Sequence, residues 1–244
     1  MSFYRLDKYL ADAGIGSRKE VKTYIKKGFI RVNDGIASKP DLKINPESDN
    51  IYYGDRKVCL FTFEYYILNK PAGYVSATKD NTAPTVLSLI NGARRDLFPV
   101  GRLDKDTEGL LLITNDGNLA HKLLSPKYHV NKTYYAVIEG IIDETDVAAF
   151  QNGLEIGDDD LEVALPAELK LYQEPDFEKN LSYIEVTIQE GKFHQIKRMF
   201  QAVGKKVIYL RRIHFGSLSL PDNLLPGQYR ELTDTELKTL HECC

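Results

Sequence analysis

The most unusual stretch of the chain is residues 100–117, where charged residues crowd together just before an apolar run. Asp104 lies within the charged part, and the apolar run begins at Leu110. A carboxylate in such a place can be partly desolvated by its neighbours and held by a base, which makes it a nucleophile or a general base. An isolated aspartate more often caps a turn, so spacing alone leaves both interpretations open. Three further acids in the segment rank below Asp104: Asp106, Glu108 and Asp116.

Four motifs follow one another along the chain: Asn69-Lys70-Pro71-Ala72-Gly73; Gly101-Arg102-Leu103-Asp104 with Thr107, Gly109 and Thr114-Asn115-Asp116-Gly117; Lys132-Thr133-Tyr134; and residues 190–200. In wording and order they resemble the signature of pseudouridine synthases, specifically the RsuA-type branch that contains the bacterial ribosomal small-subunit enzymes. Residues 5–57 resemble the S-four-type RNA-binding domain, named after a small-subunit ribosomal protein. The resemblance covers nearly the whole chain and implies an enzyme that isomerises uridine in RNA.

The resemblance implies roles for four residues. Asp104 would be the catalytic carboxylate while the glycosidic bond is broken and re-formed at carbon, and the atom that it attacks stays open. Tyr134 would stack on the uracil and help to move a proton. Arg102 would fill the gap that a flipped-out nucleotide leaves in the RNA stack. Lys197, where many relatives have arginine, would pair with Asp104 and keep it ionised and aimed, without the bidentate geometry of arginine.

Taken alone, each of these residues also has an ordinary structural interpretation. Tyr134 by itself would be a strand tyrosine at the rim of a core, and Lys197 with Arg198 would be a solvated helix face. His194 and Gln195 are interpreted as packing or polar-network residues, not as catalytic ones. The coincidence of several motifs in the expected order is what favours the catalytic assignment.

A basic segment near the N-terminus is the candidate RNA-binding surface. Ser17 followed by Glu20 is a capping-box pattern that opens a helix, and Gly28 suits its C-terminal cap. A charge run is usually a solvated helix face, whereas the functional interpretation is a phosphate-binding face. The six basic residues of the segment are Arg18, Lys19, Lys22, Lys26, Lys27 and Arg31.

The net charge of −3 argues weakly against a nucleic-acid-binding protein, but the distribution of charge argues for one. Residues 139–180 hold 2 Lys and Arg against 13 Asp and Glu, whereas residues 1–58 hold 12 against 8. All the excess acid therefore lies in one segment, and the remaining surface can attract a polyanion. We expect the active site on a positively charged face away from this acidic segment, residues 139–180.

Two domains of an α+β protein would position these residues. A small α/β RNA-binding domain with a short linker is predicted over residues 1–60, with a hairpin at 29–38 that turns at Asn33-Asp34-Gly35 and a linker around 53–62. Residues 61–244 are expected to form a pseudouridine synthase catalytic domain on a mixed, largely antiparallel sheet with flanking helices. The periodicities predict strands at 65–68, 110–114, 134–139 and 183–189, helices at 118–124 and 194–203, and a loop at 69–73.

Neither a cofactor nor a metal is expected. The chain lacks the Gly-x-x-x-x-Gly-Lys-Ser/Thr, Gly-x-Gly-x-x-Gly and His-Glu-x-x-His motifs. Its cysteines, Cys59, Cys243 and Cys244, have no Cys-x-x-Cys spacing, so neither a disulfide framework nor a zinc site is indicated. No apolar stretch approaches the ~20 residues that span a bilayer, and residues 1–20 lack the apolar core of a signal peptide. We therefore expect a cytoplasmic protein with no membrane partner.

Three other functions remain open from the sequence. A non-catalytic RNA-binding assembly factor would keep the fold, but intact Asp104, Tyr134 and Lys197 argue against it. A large-subunit (23S) rRNA target is the second, although Ser125-Pro126 and the lack of a long basic tail favour small-subunit (16S) rRNA. An unrelated glycosidase lacks a clear pair of carboxylates. The expected partner is ribosomal RNA, either free or in a subunit assembly intermediate, and the expected state is a monomer.

Overall fold

The computed structural model describes residues 4–46, 48–58, 63–93, 95–157 and 162–243. The chain forms two compact units, Met1–Phe63 and Glu64–Cys244, and each has its own apolar core. Both units combine helices with a sheet, so the predicted α+β class is confirmed. Within the described ranges, no helix is long and apolar enough to cross a bilayer.

The N-terminal unit packs two helices against a small antiparallel sheet. Its elements are β1 (Tyr4–Arg5), α1 (Leu6–Asp12), α2 (Arg18–Lys26), β2 (Ile30–Val32), β3 (Gly35–Ile36), β4 (Lys43–Ile44), β5 (Ile51–Tyr53) and β6 (Arg56–Val58). The main sheet has the order β3-β2-β5-β6, and β1 pairs with β4. The capping box of Ser17 and Glu20 opens α2 as predicted, and Gly28, with a φ of 76°, follows its end. Val21 and Ile25 of α2 are buried against the sheet core.

The first hairpin of this unit turns within the segment that the sequence predicts, residues 33–35. Val32 pairs with Gly35, so Asn33 and Asp34 are the two turn residues. Asn33 adopts the left-handed conformation with a φ of 54°, which asparagine tolerates better than most residues. The turn is thus one residue shorter than predicted, because Gly35 already pairs with Val32 and lies in β3.

The linker predicted at residues 53–62 is wrong over its first half. There β5 and β6 form a second antiparallel hairpin, in which Ile51 pairs with Val58. Val58 is buried, and its carbonyl accepts a hydrogen bond from the Tyr9 hydroxyl at 3.1 Å. Residues 59–62 lie outside the described residues.

A mixed sheet is the framework of the larger unit, with nine strands among the described residues. The strands of this unit are β7 (Tyr65–Lys70), β8 (Phe98–Pro99), β9 (Glu108–Thr114), β10 (Lys132–Glu139), β11 (Leu154–Glu155), β12 (Val163–Ala164), β13 (Glu168–Asp176), β14 (Leu181–Ile188), β15 (Lys206–Phe215), β16 (Leu218–Ser219) and β17 (Tyr229–Glu231). Its helices are α3 (Gly117–Leu124), α4 (Glu144–Asn152), α5 (Gln195–Ala202) and α6 (Asp234–Glu242).

The sheet runs in the order β13-β14-β10-β15-β9-β7-β17, with β8 against β9 and β16 against β15, while β11 and β12 pair separately. The contact of β9 with β15 is parallel and the other pairs are antiparallel. This is the mixed, largely antiparallel sheet that the sequence predicts. The parallel contact places the start of β9 beside the end of β15, which matters for the site.

The continuous apolar run of β9 is explained by cover on both faces of the sheet. Leu111 and Ile113 join a cluster that contains Phe200 of α5. Leu110 and Leu112 join a second cluster with residues of α3 and α6. Because successive side chains of a strand point to opposite faces, a strand buried on both sides must be apolar at every position.

Candidate active site

Asp104 lies in the loop between β8 and β9, and the loop is fixed on both sides of it. Before Asp104, the Ser76 hydroxyl donates to the Leu103 carbonyl at 2.9 Å and accepts from the Leu103 amide at 3.1 Å. After it, the Thr107 amide donates to the Asp104 carbonyl at 3.1 Å. The Asp104 side chain is 26% exposed. Its backbone is therefore held while its carboxylate stays open to a ligand.

Lys70 is a fully buried lysine that holds the same loop. Asn69 and Lys70 were expected in a loop, whereas the structure places both at the end of β7. The Lys70 Nζ donates to the carbonyls of Thr107 at 2.7 Å, Pro71 at 3.1 Å and Lys105 at 3.2 Å. Burial lowers the pKa of Lys70 to about 8. Two of its three acceptors, the carbonyls of Lys105 and Thr107, are distant in sequence, so the motif that contains Lys70 does not reveal these contacts.

Lys197 of α5 bonds to two carboxylates. Its Nζ lies 3.2 Å from Asp104 Oδ2, and 2.7 and 2.9 Å from the two carboxylate oxygens of Asp106. Burial alone would lower the pKa of Lys197, but its hydrogen bonds to Asp106 and Asp104 outweigh burial and raise it. The structure thus brings Lys197 to Asp104, and it adds Asp106, which the sequence ranked lower.

The turn before α5 is shaped by Gln195. Its side chain accepts from the Lys192 amide at 2.9 Å and donates to Glu190 at 2.8 Å, so Gln195 serves a polar network as expected. His194 precedes the helix in a left-handed conformation with a φ of 48°, and its Nε2 lies 3.6 Å from Asp104 Oδ1. The turn therefore brings the first residues of α5 to the Asp104 loop.

A cavity of about 970 Å³ opens beside Asp104. This volume lies within the range of roughly 300–1,000 Å³ that is typical of ligand pockets. Tyr134 of β10 lines the cavity although only 7% of it is exposed, and Arg102 lines it from an exposed position. An anion, its cationic partner and a buried aromatic ring therefore meet at one cavity.

Two buried cations also line this cavity, and the sequence singles out neither. Lys132, 6% exposed, donates to the carbonyls of Val130 at 3.0 Å and Gln189 at 3.3 Å. Burial, together with the positive charge of Arg212, lowers the pKa of Lys132 to about 8. Arg212, 2% exposed, donates from Nε to the Leu110 carbonyl at 2.8 Å. Lys132 belongs to the Lys-x-Tyr motif, and that motif is the one sequence signal available for either residue.

The acidic segment, residues 139–180, lies closer to the site than expected. Glu162 bonds to Arg198 of α5 at 2.6 Å. The same carboxylate group lies 3.8 Å from the Nζ of Lys192, which lines the cavity. The expectation of an active site away from this segment is therefore wrong for Glu162, which helps to fix the turn and helix that carry Lys197.

The six basic residues of the candidate RNA-binding surface, which lie between residues 18 and 31, are exposed. In the part of the chain that the structure describes, none of them forms an ion pair with a carboxylate. The guanidinium of Arg31 lies 4.6 Å from the ring centroid of Tyr52, next to which a cation is favourably placed. Arg18, Lys19, Lys22, Lys26 and Lys27 belong to α2 or its C-cap.

Metal ligands do not cluster in the described residues, where no group of three or more His, Cys, Asp or Glu side chains could hold an ion. Cys243 is a free thiol, and Cys59 and Cys244 lie outside the described residues. Charged groups that line the cavity include Asp104, Lys197 and the two buried cations.

Comparisons with known proteins agree with this geometry. Residues 64–202 match the family model described as RNA pseudouridylate synthase, and residues 5–51 match the S4 domain. Ribosomal small subunit pseudouridine synthase A of Vibrio cholerae is 37% identical over 97% of this chain and 99% of its own. Ribosomal large subunit pseudouridine synthase B of Bacillus subtilis is 38% identical over 97% and 95%. A crystal structure of a pseudouridylate synthase matches 97% of this chain and 99% of its own, with 34% identity and a TM-score of 0.67. On these likenesses and on the loop, helix and cavity described above, the chain belongs to the RNA pseudouridylate synthase family and carries an S4 domain at its N-terminal end.

Proposed function

We propose that this enzyme converts one uridine of small-subunit (16S) ribosomal RNA to pseudouridine, with Asp104 as its catalytic carboxylate. The observation that carries this proposal is the 3.2 Å contact of Asp104 with Lys197 at a cavity that Tyr134 also lines. A nucleotide flipped out of the RNA stack would bring uracil and ribose into this cavity, at a cost of ~a few kcal/mol.

The reaction moves the ribose from N1 to C5 of the same uracil ring. The N1–C1′ bond breaks, the C5–C1′ bond forms, and the proton lost from C5 is balanced by one gained at N1. Substrate and product have the same atoms, so the chemistry needs a positioned carboxylate and a closed cavity but no further reagent. A carboxylate beside C1′ would stabilise the positive charge that cleavage builds on the ribose, as in glycoside chemistry.

The other residues of the cavity support this carboxylate. Lys197 would hold and aim Asp104 through their ion pair, and Tyr134 would stack on the base and help to move a proton. Arg102, exposed at the cavity, would enter the RNA stack in place of the flipped nucleotide. These roles use each side chain where the fold leaves it, and they require no rearrangement of the Asp104 loop.

The N-terminal unit would bind the RNA backbone through its exposed basic residues. Six cations without carboxylate partners can each replace a counterion of the RNA, so binding should weaken steeply with salt. We propose residues 1–60 as the RNA-binding domain and residues 61–244 as the catalytic domain, acting as a monomer in the cytoplasm.

The choice of small-subunit RNA rests on sequence wording, and the alternative is large-subunit RNA. Ser125-Pro126 and residues 194–198 resemble the small-subunit type. Relatives named for each subunit are almost equally similar, at 37% and 38% identity. We propose a substrate in which 16S rRNA is bound to early ribosomal proteins, as in an assembly intermediate.

The test is to incubate the protein with unmodified 16S rRNA, free and bound to early ribosomal proteins, and to map pseudouridine chemically at single-nucleotide resolution. Unmodified 23S rRNA is treated in parallel. We expect one new pseudouridine in 16S rRNA, abolished by Asp104→Asn while RNA binding persists. Asp106→Asn is the matched control, because it removes the same charge from the other carboxylate on Lys197 and should keep measurable turnover.

Other outcomes would change specific parts of the proposal. Modification of 23S rRNA alone would keep the reaction and overturn the target. A normal rate for Asp104→Asn would overturn the role of that residue. Tight binding of both RNAs without modification would favour a non-catalytic assembly factor.

A further inference from the structure

Two buried cations, Lys132 and Arg212, line the cavity that Asp104 also lines, and the proposed chemistry so far gives them no role. They are 6% and 2% exposed. Both lie near the ring of Phe215, with the Lys132 Nζ 5.9 Å and the Arg212 guanidinium carbon 4.8 Å from its centroid. Two positive side chains therefore share one wall.

Arg212 lacks the partners that a buried guanidinium normally has. Its Nε donates to the Leu110 carbonyl, but its Nη2 is buried and has no hydrogen-bond partner among the described residues. In those ranges no carboxylate forms an ion pair with it. A buried donor left unpaired is destabilising, and more so when it is charged. This pattern indicates that a bound group with acceptor oxygens completes the site.

The burial of Lys132 and Arg212 indicates which acceptor groups of a bound nucleotide they would contact. Lys105 also lines the cavity but is exposed, as suits the phosphates on the outside of an RNA strand. Arg212 is buried and pairs directly with Tyr134 in the register of β10 and β15. Side chains of directly paired residues lie on the same face of a sheet. A base stacked on Tyr134 would therefore bring its edge within reach of Arg212.

We infer that Arg212, with the charge of Lys132 beside it, binds the carbonyl edge of the target uracil and stabilises the negative charge that the ring acquires. This inference rests on the proposed use of the cavity for a flipped uridine. Arg212 would act on the base, in addition to Asp104, which would act on the ribose or on the ring.

The charge on the ring follows from the bonds that change. When N1–C1′ breaks, the bonding pair stays with uracil, whose negative charge spreads over N1, O2 and O4. If Asp104 instead adds to C6, the displaced pair moves through the ring to O4. In both cases a ring electron pair forms the C5–C1′ bond, the C5 proton is then lost, and a proton gained at N1 returns the ring to neutrality. A carboxylate added at C6 is expelled with its bonding pair as the C5 proton leaves. A guanidinium at the carbonyl edge is therefore useful whichever atom Asp104 attacks.

The test combines Arg212→Gln with substrates altered at single atoms, on whichever rRNA fragment the wild-type protein modifies. We expect the single-turnover rate to fall about 100–1,000-fold, as when one donor to a developing oxyanion is removed. The Kd for RNA should change less than about threefold. Arg211→Gln is the matched control, because it removes the same charge from the next residue, which does not line the cavity.

Sulfur in place of O2 or O4 of the target uridine weakens the acceptor and distinguishes contact from a merely structural role. One of the two thio substitutions should slow the wild-type and Arg211→Gln proteins, and the same substitution should have little further effect in Arg212→Gln. Equal effects in all three proteins would overturn the inference. A methylphosphonate at the target nucleotide tests phosphate as the alternative ligand. If the methylphosphonate has no further effect in Arg212→Gln while both thio substitutions keep theirs, Arg212 binds phosphate and the inference is wrong. Arg212→Lys serves for the same comparison if the glutamine variant does not fold.

A measurement without RNA keeps this inference separate from the choice of target. The probe is 5-nitrouracil, a free base that is anionic near neutral pH, with binding followed by NMR. The wild-type and Arg211→Gln proteins should bind it, and Arg212→Gln at least tenfold more weakly. Equal binding by Arg212→Gln, or none by the wild type, would overturn the inference. Binding without modification of either rRNA would instead place the failure in the proposed function.

Discussion

Lys197 bonds to both Asp104 and Asp106, and its loss would leave these two neighbouring carboxylates without their shared partner. Two carboxylates without a cation between them repel each other, so Asp104 would no longer be held in position. We predict that Lys197→Met slows the single-turnover rate at least 100-fold, about 2.7 kcal/mol. Lys197→Arg, which keeps the charge, should stay within about tenfold of the wild-type rate.

The control for this prediction is Lys192→Met. Lys192 also lines the cavity, but its contacts are to Glu162 and Glu190 and not to Asp104. A comparable loss of rate in Lys192→Met would mean that general cavity charge, and not the ion pair with Asp104, sets the rate.

Lys132 should make stability depend on pH. Its pKa is about 8 in the folded protein against an ordinary 10.5. Between these values the unfolded chain binds more protons, so the free energy of unfolding that this group contributes rises with pH. Its full charge below pH 8 destabilises the fold by at most about 3 kcal/mol. We predict that wild-type stability minus that of Lys132→Met, measured by urea unfolding, increases from pH 8 to 10.5. A constant difference would contradict the low pKa.

At the residue scale, sequence motifs predict the partly exposed residues of the site better than its buried ones. The pairing of Asp104 with Lys197 is implied by the resemblance of their two motifs to the family signature, and the two side chains lie 3.2 Å apart in the structure. Lys70 and Arg212 look like ordinary basic residues, because their burial depends on carbonyls supplied by distant strands and loops. A lysine or arginine is usually exposed, so no local pattern would have placed either one inside the fold.

At the scale of elements, the parallel contact of β9 with β15 joins the Asp104 loop to the strand of Arg212, and Gly109 permits it. A Cβ at Gly109 would lie 2.8 Å from the Arg212 amide nitrogen and closer still to its carbonyl oxygen. The φ of Gly109, 99°, is also unfavourable for any other residue. We predict that Gly109→Ala destabilises the protein by about 3–4 kcal/mol in urea unfolding.

Gly117→Ala is the matched control for that substitution. Gly117 is the first residue of α3, and a Cβ there would meet no atom within 4 Å. Its effect should stay within about 0.5 kcal/mol. Similar losses at the two positions would show that Gly109 is not required by the close approach of Arg212.

The elements that the sequence predicts are those with local signals. The capping box fixes the start of α2, and the unbroken apolar run fixes β9. β6 escapes prediction because Arg56 and Lys57 resemble a polar linker, and only Val58 faces the core. α6 was not predicted, although the capping box of Thr233 and Glu236 marks its start. The pairing order of the sheet depends on long-range contacts and has no local signature.

At the scale of the whole molecule, charge is sorted along the chain. The acidic segment, residues 139–180, forms α4 and the strands β11 to β13, and β13 is an edge strand of the sheet. Charged side chains on an edge discourage pairing with another chain, which gives the acid a structural use independent of RNA. The exposed basic residues of α2 belong to the N-terminal unit. That unit is therefore where the RNA backbone would be attracted.

We therefore predict that RNA affinity depends on where positive charge is removed. Replacing Lys22, Lys26 and Lys27 by glutamine should raise the Kd about 10–100-fold and flatten the slope of log K against log salt concentration by about 2. The rate on bound substrate should not change. Filter binding at several salt concentrations measures both quantities.

The control removes the same charge elsewhere. Lys170, Lys179 and Lys238 are exposed residues of the catalytic unit, and their replacement by glutamine should leave the slope unchanged. Equal slopes for the two triple variants would mean that net charge, and not the basic face of α2, governs binding.

The hydrogen bonds from Lys70 to the Asp104 loop have a consequence for how the RNA targets of such enzymes can change. Lys70 holds the loop through the carbonyl oxygens of residues 71, 105 and 107, and every amino acid supplies a carbonyl. The side chain of Lys105, exposed at the cavity, is therefore free to be exchanged without releasing the loop. Descendants of this chain could acquire new RNA targets by drift at such positions while the carboxylate kept its place.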